Sequence, residues 1–434
     1  MSEFQVERGL QVWPATDVGK SREHNEDSFL VDKRLNLFVV ADGMGGHAAG
    51  EVASQLAVRT VRTALSREID TLLDFQHGGG TTRRDVLRLL ESCVQQACSV
   101  IHTTGEQDER KRGMGTTLDA LLVVGARGFI AHVGDSRIYL WRQEALHQLT
   151  EDHSLINELL KRGKLSREMI ERMQYKNAVT RAVGVYANVE VDVFDFDVLA
   201  GDAFLLCSDG LHGCLEAEEL RQHLLHHGDE RVTPTLVDLA NDRGGKDNIT
   251  VIYVKVPDAP SGVDKLTKEV QLKMEVLQKM PLFRFLSYQE LVRVLNITDV
   301  RHFETDASVV QEGDQGEDLF IVLTGKVRVH TKDTEITQLG PGQHFGEMAL
   351  IDKAPRSASV TAHTHTRLLT LSRQAFFELI RTEQTVAVKL LWSFLGVLAQ
   401  RLRSTSRELG EAREQLGIDD LTDELLSVTE VDEP

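Results

Sequence analysis

Apolar residues in the first 256 positions form short continuous runs and two long stretches with helical spacing. Runs such as LNLFVVAD, GFIAHVGD and AFLLCSD predict buried strands. Apolar positions three and four residues apart predict amphipathic helices over 52–65 and 87–101. Gly125 and Gly128 separate two strand-like runs and predict a hairpin. Paired helices beside many antiparallel strands favour a layered α+β sandwich.

The apolar pattern changes near Gln278. A short helix is predicted over YQELVRVLN, followed by short strands separated by glycines, which is typical of a β-roll or barrel. From Val388 to Leu416 leucines recur at intervals of three and four, with the spacing of a coiled coil. This stripe favours a homodimer through 388–416; the alternative is a helix that packs on its own β-roll.

Turn-forming and polar segments divide the chain into four parts. We expect a first domain over 1–256, a linker and linker helix over 257–277, a second domain over 278–403, and a helix end with an acidic tail over 404–434. The linker begins with VPDAPSGVD, which is rich in Pro, Gly and Asp. Residues 154–181 are polar and helix-prone, and we predict that they form a flap beside the functional site.

Composition and charge narrow the function classes. The 434 residues are 41% hydrophobic and 27% charged, as in ordinary folded proteins, and the net charge of −18 argues against a nucleic-acid or anionic membrane surface. The longest apolar run, 386–399, is short for a membrane span and contains Lys389. The polar start lacks the apolar core of a signal peptide, and four cysteines show no CxxC spacing. We therefore expect a cytoplasmic protein without membrane or nucleic-acid partners.

Four aspartates stand at the ends of strand-like runs. Asp42, Asp135 and Asp209 each close a run, and Asp247 precedes one. In an antiparallel sheet the end of one strand lies beside the start of its neighbour, so all four carboxylates can converge on one rim. All-oxygen ligation without His or Cys suits Mg²⁺ or Mn²⁺. A single Asp-Gly pair taken alone is equally well explained as a turn, but four aspartates placed at the ends of such runs favour a cation site.

A series of motifs over residues 10–256 resembles the bacterial form of the metal-dependent, type 2C serine/threonine protein phosphatases. The motifs are, in order, SREHNEDSF, ADGMGGHAAGE, MGTT, HVGDSR, TEDHS, VTRAVG, LLCSDGL and GGKDNIT. The resemblance implies a four-layer αββα sandwich. It implies that Asp42 bridges two Mn²⁺ or Mg²⁺ ions, with the carbonyl of Gly43 on one and Asp209 and Asp247 on the other. Asp135, sharing Asp209, would hold a looser third ion.

The same resemblance assigns roles to residues around the cations. Glu26 and Asp27 are expected to hold waters bound to the ions, with Asn248 beside them, and Arg22 to receive the substrate phosphate through its planar guanidinium. A bridging hydroxide would attack the phosphorus of phosphoserine or phosphothreonine in line. Animal members carry His where this chain has Met44, so we expect a water to protonate the leaving alkoxide. The substrates would be phosphoproteins made by serine/threonine kinases.

Residues 278–403 resemble the cyclic-nucleotide-binding domain. The motifs are KMPLFRFLSYQELVRVL, EGDQGEDLFIVLTGKVRV and the cassette FGEMALIDKAPRSASV. In the cassette, Glu347 suits the ribose 2′-hydroxyl and Arg356 the cyclic phosphate. Gly346 permits a close backbone approach, and the following residues present backbone N–H groups. The remaining cassette positions of the predicted pocket are Met348, Ala349 and Ser357. Ser357 leaves cyclic AMP and cyclic GMP open, with a preference for cyclic AMP.

The two resemblances together predict a phosphatase regulated by a cyclic nucleotide. In the alternative interpretation the phosphatase is active but its degenerate β-roll serves only dimerisation or localisation. A transcription factor of the cyclic-AMP-receptor type would need a helix-turn-helix after the long helix, where only an acidic tail follows. A non-catalytic scaffold would be expected to lack one of the aspartates. The linker helix KLTKEVQLKMEVLQKM is the expected transmitter between the domains.

Overall fold

The computed structural model describes residues 9–45, 49–161, 178–258, 265–332 and 334–416. The chain divides into two compact units, Met1–Leu272 and Lys273–Pro434. This division falls within helix Lys265–Lys279, the predicted linker helix. The sequence-based domain limits at 256 and 278 stay predictions.

The first unit contains two antiparallel sheets. One has the strand order β1, β11, β10, β7, β8, and the other has β2, β3, β5, β6, β9, with β4 paired to β3. The strands are β1 Gln11–Asp17, β2 Asp27–Asp32, β3 Leu37–Met44, β4 Gly115–Thr116, β5 Leu118–Val124, β6 Arg127–Val133, β7 Arg137–Arg142, β8 Ala145–Gln148, β9 Asp192–Asp197, β10 Ala203–Cys207 and β11 Ile249–Lys255. The predicted hairpin joins β5 to β6, and Gly125 takes the positive φ of 59° that its turn requires.

Helices cover one face of each sheet. Their ranges are α1 Ala49–Arg67, α2 Ile69–Gln76, α3 Arg83–Gln107, α4 Leu155–Lys161, α5 Asp209–His212, α6 Ala217–His226 and α7 Asp229–Asp242, with a 3-10 turn at Glu109–Lys111. The apolar stripes of α1 and α3 pack on the sheet that contains β3, and those of α6 and α7 pack on the sheet that contains β11. The mixed α and β content is therefore confirmed, whereas the four-layer arrangement stays a prediction.

The helices of the first unit include one that the apolar pattern does not predict. Both long helices are present, and a capping box in which Thr82 and Asp85 exchange hydrogen bonds fixes the start of α3. The short helix α2 was missed, because its eight residues bury only Leu72 and give little periodic signal. The predicted flap begins with α4, but residues 162–177 lie outside the described part of the chain.

The second unit contains two four-stranded antiparallel sheets flanked by helices. The strand orders are β12, β19, β14, β17 and β13, β18, β15, β16. The elements are α8 Lys265–Lys279, a 3-10 turn Pro281–Phe283, α9 Tyr288–Asn296, β12 Thr298–Phe303, β13 Ser308–Val310, β14 Asp318–Thr324, β15 Val327–Thr331, β16 Thr334–Leu339, β17 His344–Phe345, a 3-10 helix Glu347–Leu350, β18 Ser359–Ala362, β19 Thr366–Ser372, α10 Arg373–Thr382 and α11 Gln384–Leu416. Apolar side chains from both sheets share one core, as a β-roll requires.

Helix α11 is anchored at its start and exposed beyond it. Phe394 is buried edge-on against Phe376, and the Lys389 ammonium donates to both carboxylate oxygens of Glu290 at 2.7 and 2.8 Å. Large apolar side chains along the helix are exposed, namely Val388, Leu391, Trp392, Leu395, Leu402 and Leu409. Among the described residues, 384–412 form one helix that is long and apolar enough to cross a bilayer, with 24% of the tested stretch buried. The predicted absence of a membrane partner therefore stays a prediction.

Candidate active site and nucleotide pocket

The four predicted aspartates belong to adjacent strands and turns. Asp135 follows β6, Asp209 is the first residue of α5, and Asp247 lies two residues before β11, all as expected. Asp42 differs, because it lies inside β3 and does not end it. The strand continues since Gly43 and the next residue pair with β4.

Burial and mutual repulsion raise the pKa of three of these carboxyl groups. Burial, followed by the charges of Asp27, Asp209, Asp135 and Asp247, raises the pKa of Asp42 well above its ordinary value. Burial and the charge of Asp209 raise the pKa of Asp135 to about 7. Burial and the charge of Asp247 raise the pKa of Asp209. So many carboxyl groups in one buried place favour binding of protons or cations.

The donor atoms fit hard cations. Oδ1 of Asp209 is buried without a hydrogen-bond partner in the described part of the chain. At Gly43 a Cβ would lie 2.2 Å from the carbonyl oxygen of Gly50 and 2.5 Å from that of Glu26, so the backbone here admits only glycine. Carboxylate and carbonyl oxygens of this kind are the ligands that Mg²⁺ and Mn²⁺ prefer.

Both carboxylate oxygens of Asp247 accept hydrogen bonds within the site. Its Oδ2 accepts from Nη2 of Arg22 at 2.8 Å, and its Oδ1 accepts from the backbone N–H of Asn248 at 2.9 Å. Among the described residues, no three His, Cys, Asp or Glu side chains are arranged to hold one ion. A cation here would therefore need the Gly43 carbonyl and water as further ligands. Arg22 lies beside the carboxylates, as predicted, and its side chain is 47% exposed.

Glu26 supports the site through its backbone and its side chain. Its carbonyl accepts from the N–H of Gly43 at 3.2 Å and from the hydroxyl of Ser54 at 2.6 Å. Its carboxylate accepts from the N–H of Gly50 in the first turn of α1, and burial raises its pKa. Glu26 thus joins the start of α1 to the strand that carries Asp42.

Asp27 and Asn248 lie behind the aspartates. Asp27 accepts from the hydroxyl of Ser208 at 2.8 Å, and burial raises its pKa to about 7. The Asn248 amide accepts from the N–H of Glu26 at 2.8 Å and donates to two carbonyls, those of Val18 at 2.9 Å and of His24 at 3.0 Å. The structure therefore brings both predicted residues to the site. Through these hydrogen bonds Asn248 joins the start of β11 to the segment between β1 and β2.

Two threonines that support Asp42 were not predicted individually. Thr117 Oγ1 accepts from the N–H of Asp42 at 2.9 Å, and Thr116 Oγ1 donates to the Asp42 carbonyl at 2.8 Å. His212 was also missed, although its Nε2 donates to the Asp135 carbonyl at 2.8 Å. The two threonines belong to the MGTT motif, which could have identified them. His212 could have been identified from its position one helical turn after Asp209.

The predicted nucleotide-binding residues meet in the second unit. They line a cavity of about 480 Å³, within the range of small-molecule sites. Gly346 has a φ of 77°, and a Cβ on it would lie 2.4 Å from Nη1 of Arg356. Glu347 begins the 3-10 helix and is buried. The guanidinium of Arg356 donates to the carbonyl of Asp318 at 2.9 Å, and burial lowers its pKa. Met348, Ala349 and Ser357 complete the predicted set in the lining.

Comparisons with known proteins match both units. Residues 19–242 match the family described as protein phosphatase 2C, and residues 300–383 match the cyclic nucleotide-binding domain. The chain is 39% identical over 244 residues to the serine/threonine phosphatase Stp of Listeria innocua, covering 55% of this chain and 93% of that protein. It is 40% identical over 255 residues to the protein phosphatase PhpP of Streptococcus pneumoniae, covering 57% and 98%.

A solved structure supports the same comparison. The crystal structure of the Mycobacterium tuberculosis serine/threonine phosphatase PstP/Ppp matches with 35% identity and a TM-score of 0.51. The match covers 57% of this chain and 99% of that one.

Proposed function

Because the chain belongs to the protein phosphatase 2C family and is a serine/threonine protein phosphatase, we propose a two-cation hydrolysis of phosphoserine and phosphothreonine in proteins. The cations are Mn²⁺ or Mg²⁺, held by Asp42, Asp209, Asp247 and the Gly43 carbonyl. The observation that carries this proposal is the buried Oδ1 of Asp209, which has no hydrogen-bond partner among the described residues, and the raised pKa of the neighbouring carboxyl groups agrees with it. Asp135 holds a third, looser ion.

The chain's own residues bind and orient the substrate. Bound cations supply hydroxide near neutral pH and neutralise the phosphate. Arg22 binds two phosphate oxygens with its planar guanidinium, and its exposed position beside Asp247 makes it accessible to a phosphoprotein. Glu26 and Asp27 orient water in the site, while Met44 cannot donate a proton, so water protonates the leaving alkoxide. The substrates are phosphoproteins that serine/threonine kinases produce in the cytoplasm.

Substitution of Asp42 by asparagine tests the two-cation site. We expect Asp42→Asn to abolish Mn²⁺-dependent release of phosphate from phosphoserine and phosphothreonine peptides, because a carboxylate that would hold the cations is lost. Asp238→Asn, an exposed change on α7, is the matched control and should keep full activity. Full activity of Asp42→Asn, or wild-type activity that survives chelation of all divalent ions, would refute the proposal.

We further propose that a cyclic nucleotide bound in the second unit regulates this activity. The cavity that contains Glu347 and Arg356 supports this. Ser357 leaves cyclic AMP and cyclic GMP open, and we propose cyclic AMP. Allosteric coupling typically amounts to about 1 to 3 kcal/mol, or roughly 5- to 150-fold. The test is the rate of phosphopeptide hydrolysis with and without each nucleotide. Binding without any change in rate would favour the alternative, in which the second unit serves dimerisation or localisation.

A homodimer through 388–416 is the third part of the proposal. Exposed Val388, Leu395, Leu402 and Leu409 follow each other at seven-residue intervals on α11, the spacing of a coiled-coil seam. Light scattering of the full chain should give a dimer that Leu402→Glu converts to a monomer, with Arg403→Glu as the control on the neighbouring position. A monomeric wild-type protein, or one recovered with lipid vesicles in flotation, would contradict this part.

A further inference from the structure

Two histidines hold the backbone on either side of Asp135. The N–H of Gly134 donates to Nδ1 of His153 at 3.1 Å, and the N–H of His153 donates to the Gly134 carbonyl at 2.7 Å. On the other side, His212 donates to the Asp135 carbonyl at 2.8 Å. Because Asp135 lies between β6 and β7, outside their sheet pairing, these imidazole contacts fix its position.

The ring of His153 is held in one orientation by its neighbours. Its side chain is 8% exposed, and its ring lies on that of His132 with centroids 4.6 Å apart. Nδ1 accepts from Gly134, and Nε2 lies 3.3 Å from Asp192 Oδ2 and 3.2 Å from Nη1 of Arg181. Burial lowers the pKa of His153, in agreement with a neutral ring.

The same residue closes the base of the predicted flap. The His153 carbonyl accepts from the N–H of Thr180 at 2.8 Å, and the N–H of Leu155 donates to the carbonyl of Ala178 at 2.9 Å. Ser154 pairs with Val179 between these contacts. The residues at 153–155 are therefore hydrogen-bonded to those at 178–180.

We propose that His153 is a positioning residue for Asp135. It fixes the Asp135 turn for the third cation through the Gly134 N–H, and it connects that turn to Thr180 through its own carbonyl. Only glycine fits at position 134, since its φ is 114° and a Cβ on it would lie 2.5 Å from Thr117 Cγ2. The inference rests on the proposed function, because that proposal places a third cation at Asp135.

Two amide substitutions separate the contacts of the two ring nitrogens. In His153→Asn the side-chain oxygen takes the place of Nδ1 and can still accept from Gly134. In His153→Gln the amide takes the place of Nε2 and loses that contact. Loss of one hydrogen bond should raise the Mn²⁺ concentration that half-saturates the weakest site by about 5- to 10-fold in His153→Gln. His153→Asn should stay within about twofold of wild type.

Mn²⁺ binding is measured by electron paramagnetic resonance of the free ion, alongside Mn²⁺ titrations of activity and melting temperatures of both variants. The expected result is that His153→Gln alone binds the third ion more weakly, while both variants keep the tightly bound ions. Equal Mn²⁺ binding by His153→Gln and wild type, or equal losses in both variants, would overturn the role of His153 and leave the two-cation proposal intact. Wild-type protein that binds no Mn²⁺ would overturn the two-cation proposal itself.

Discussion

The phosphatase unit without divalent cations should be less stable at pH 8 than at pH 5.5, and Asp135→Asn should reduce that difference. Burial and the charge of Asp209 raise the pKa of Asp135 to about 7 in the folded protein, whereas an unfolded aspartate titrates near 3.9. The folded chain therefore binds a proton that the unfolded chain has released. The stability linked to this proton is complete below about pH 4 and is lost as the pH rises through 7.

The size of the effect follows from the shift. One pKa unit corresponds to about 1.4 kcal/mol, so between pH 5.5 and pH 8 the free energy of unfolding should fall by about 2 kcal/mol through Asp135 alone. Asp27, whose pKa burial also raises to about 7, acts in the same direction. Asp135→Asn removes the contribution of Asp135 to this pH dependence and keeps that of Asp27.

The assay is urea unfolding in the presence of a chelator. Trp13, which stacks on Tyr253, and Trp141 report on the first unit when Trp392 is replaced by phenylalanine. Saturating Mn²⁺ should abolish the pH dependence, because the cation takes the place of the protons. A cation-free protein that is equally stable at both pH values, or an Asp135→Asn variant with an unchanged difference, would refute the reasoning.

Three further predictions concern charged side chains. Arg22→Lys should raise the KM for a phosphopeptide about tenfold, because lysine cannot bind two phosphate oxygens at once; an unchanged KM would remove Arg22 from the phosphate site. Arg356→Ala should abolish the rise in melting temperature that cyclic AMP causes, while exposed Lys353→Ala should keep it. Lys389→Met should lower the free energy of unfolding of the second unit by about 1 to 3 kcal/mol, since it leaves the Glu290 carboxylate without its cation. Hydrogen–deuterium exchange of amides in α9 and α11 measures it, and unaltered exchange rates would contradict it.

Much of the site could be predicted because its carboxylates stand at the ends of apolar runs. The runs that end at Asp135 and Asp209 are buried strands, and strand ends in antiparallel sheets lie close together. The cassette was recognisable because it is one local motif. Gly346 and Arg356 are close in the chain, and they also meet in space.

The remaining features depend on contacts between distant segments. Asp42 lies inside a strand because β4, only two residues long, pairs with β3 about 70 positions earlier, and so short a strand leaves no periodic pattern. Likewise nothing local to His153 indicates that Nδ1 accepts from Gly134, 19 residues before it. The direction of Asp247 toward Arg22 is also set by side-chain packing, which apolar periodicity does not encode.

The Glu290 carboxylate connects two helices that are about 100 residues apart in the chain. One of its oxygens accepts from the N–H of Ser287 at 2.6 Å and so completes the capping box of α9, while both oxygens accept from Lys389 on α11. Fraying of the first turn of α9 would therefore release the start of α11 as well. The two segments should behave as one cooperative unit, in which amide protons exchange with deuterium at matched rates.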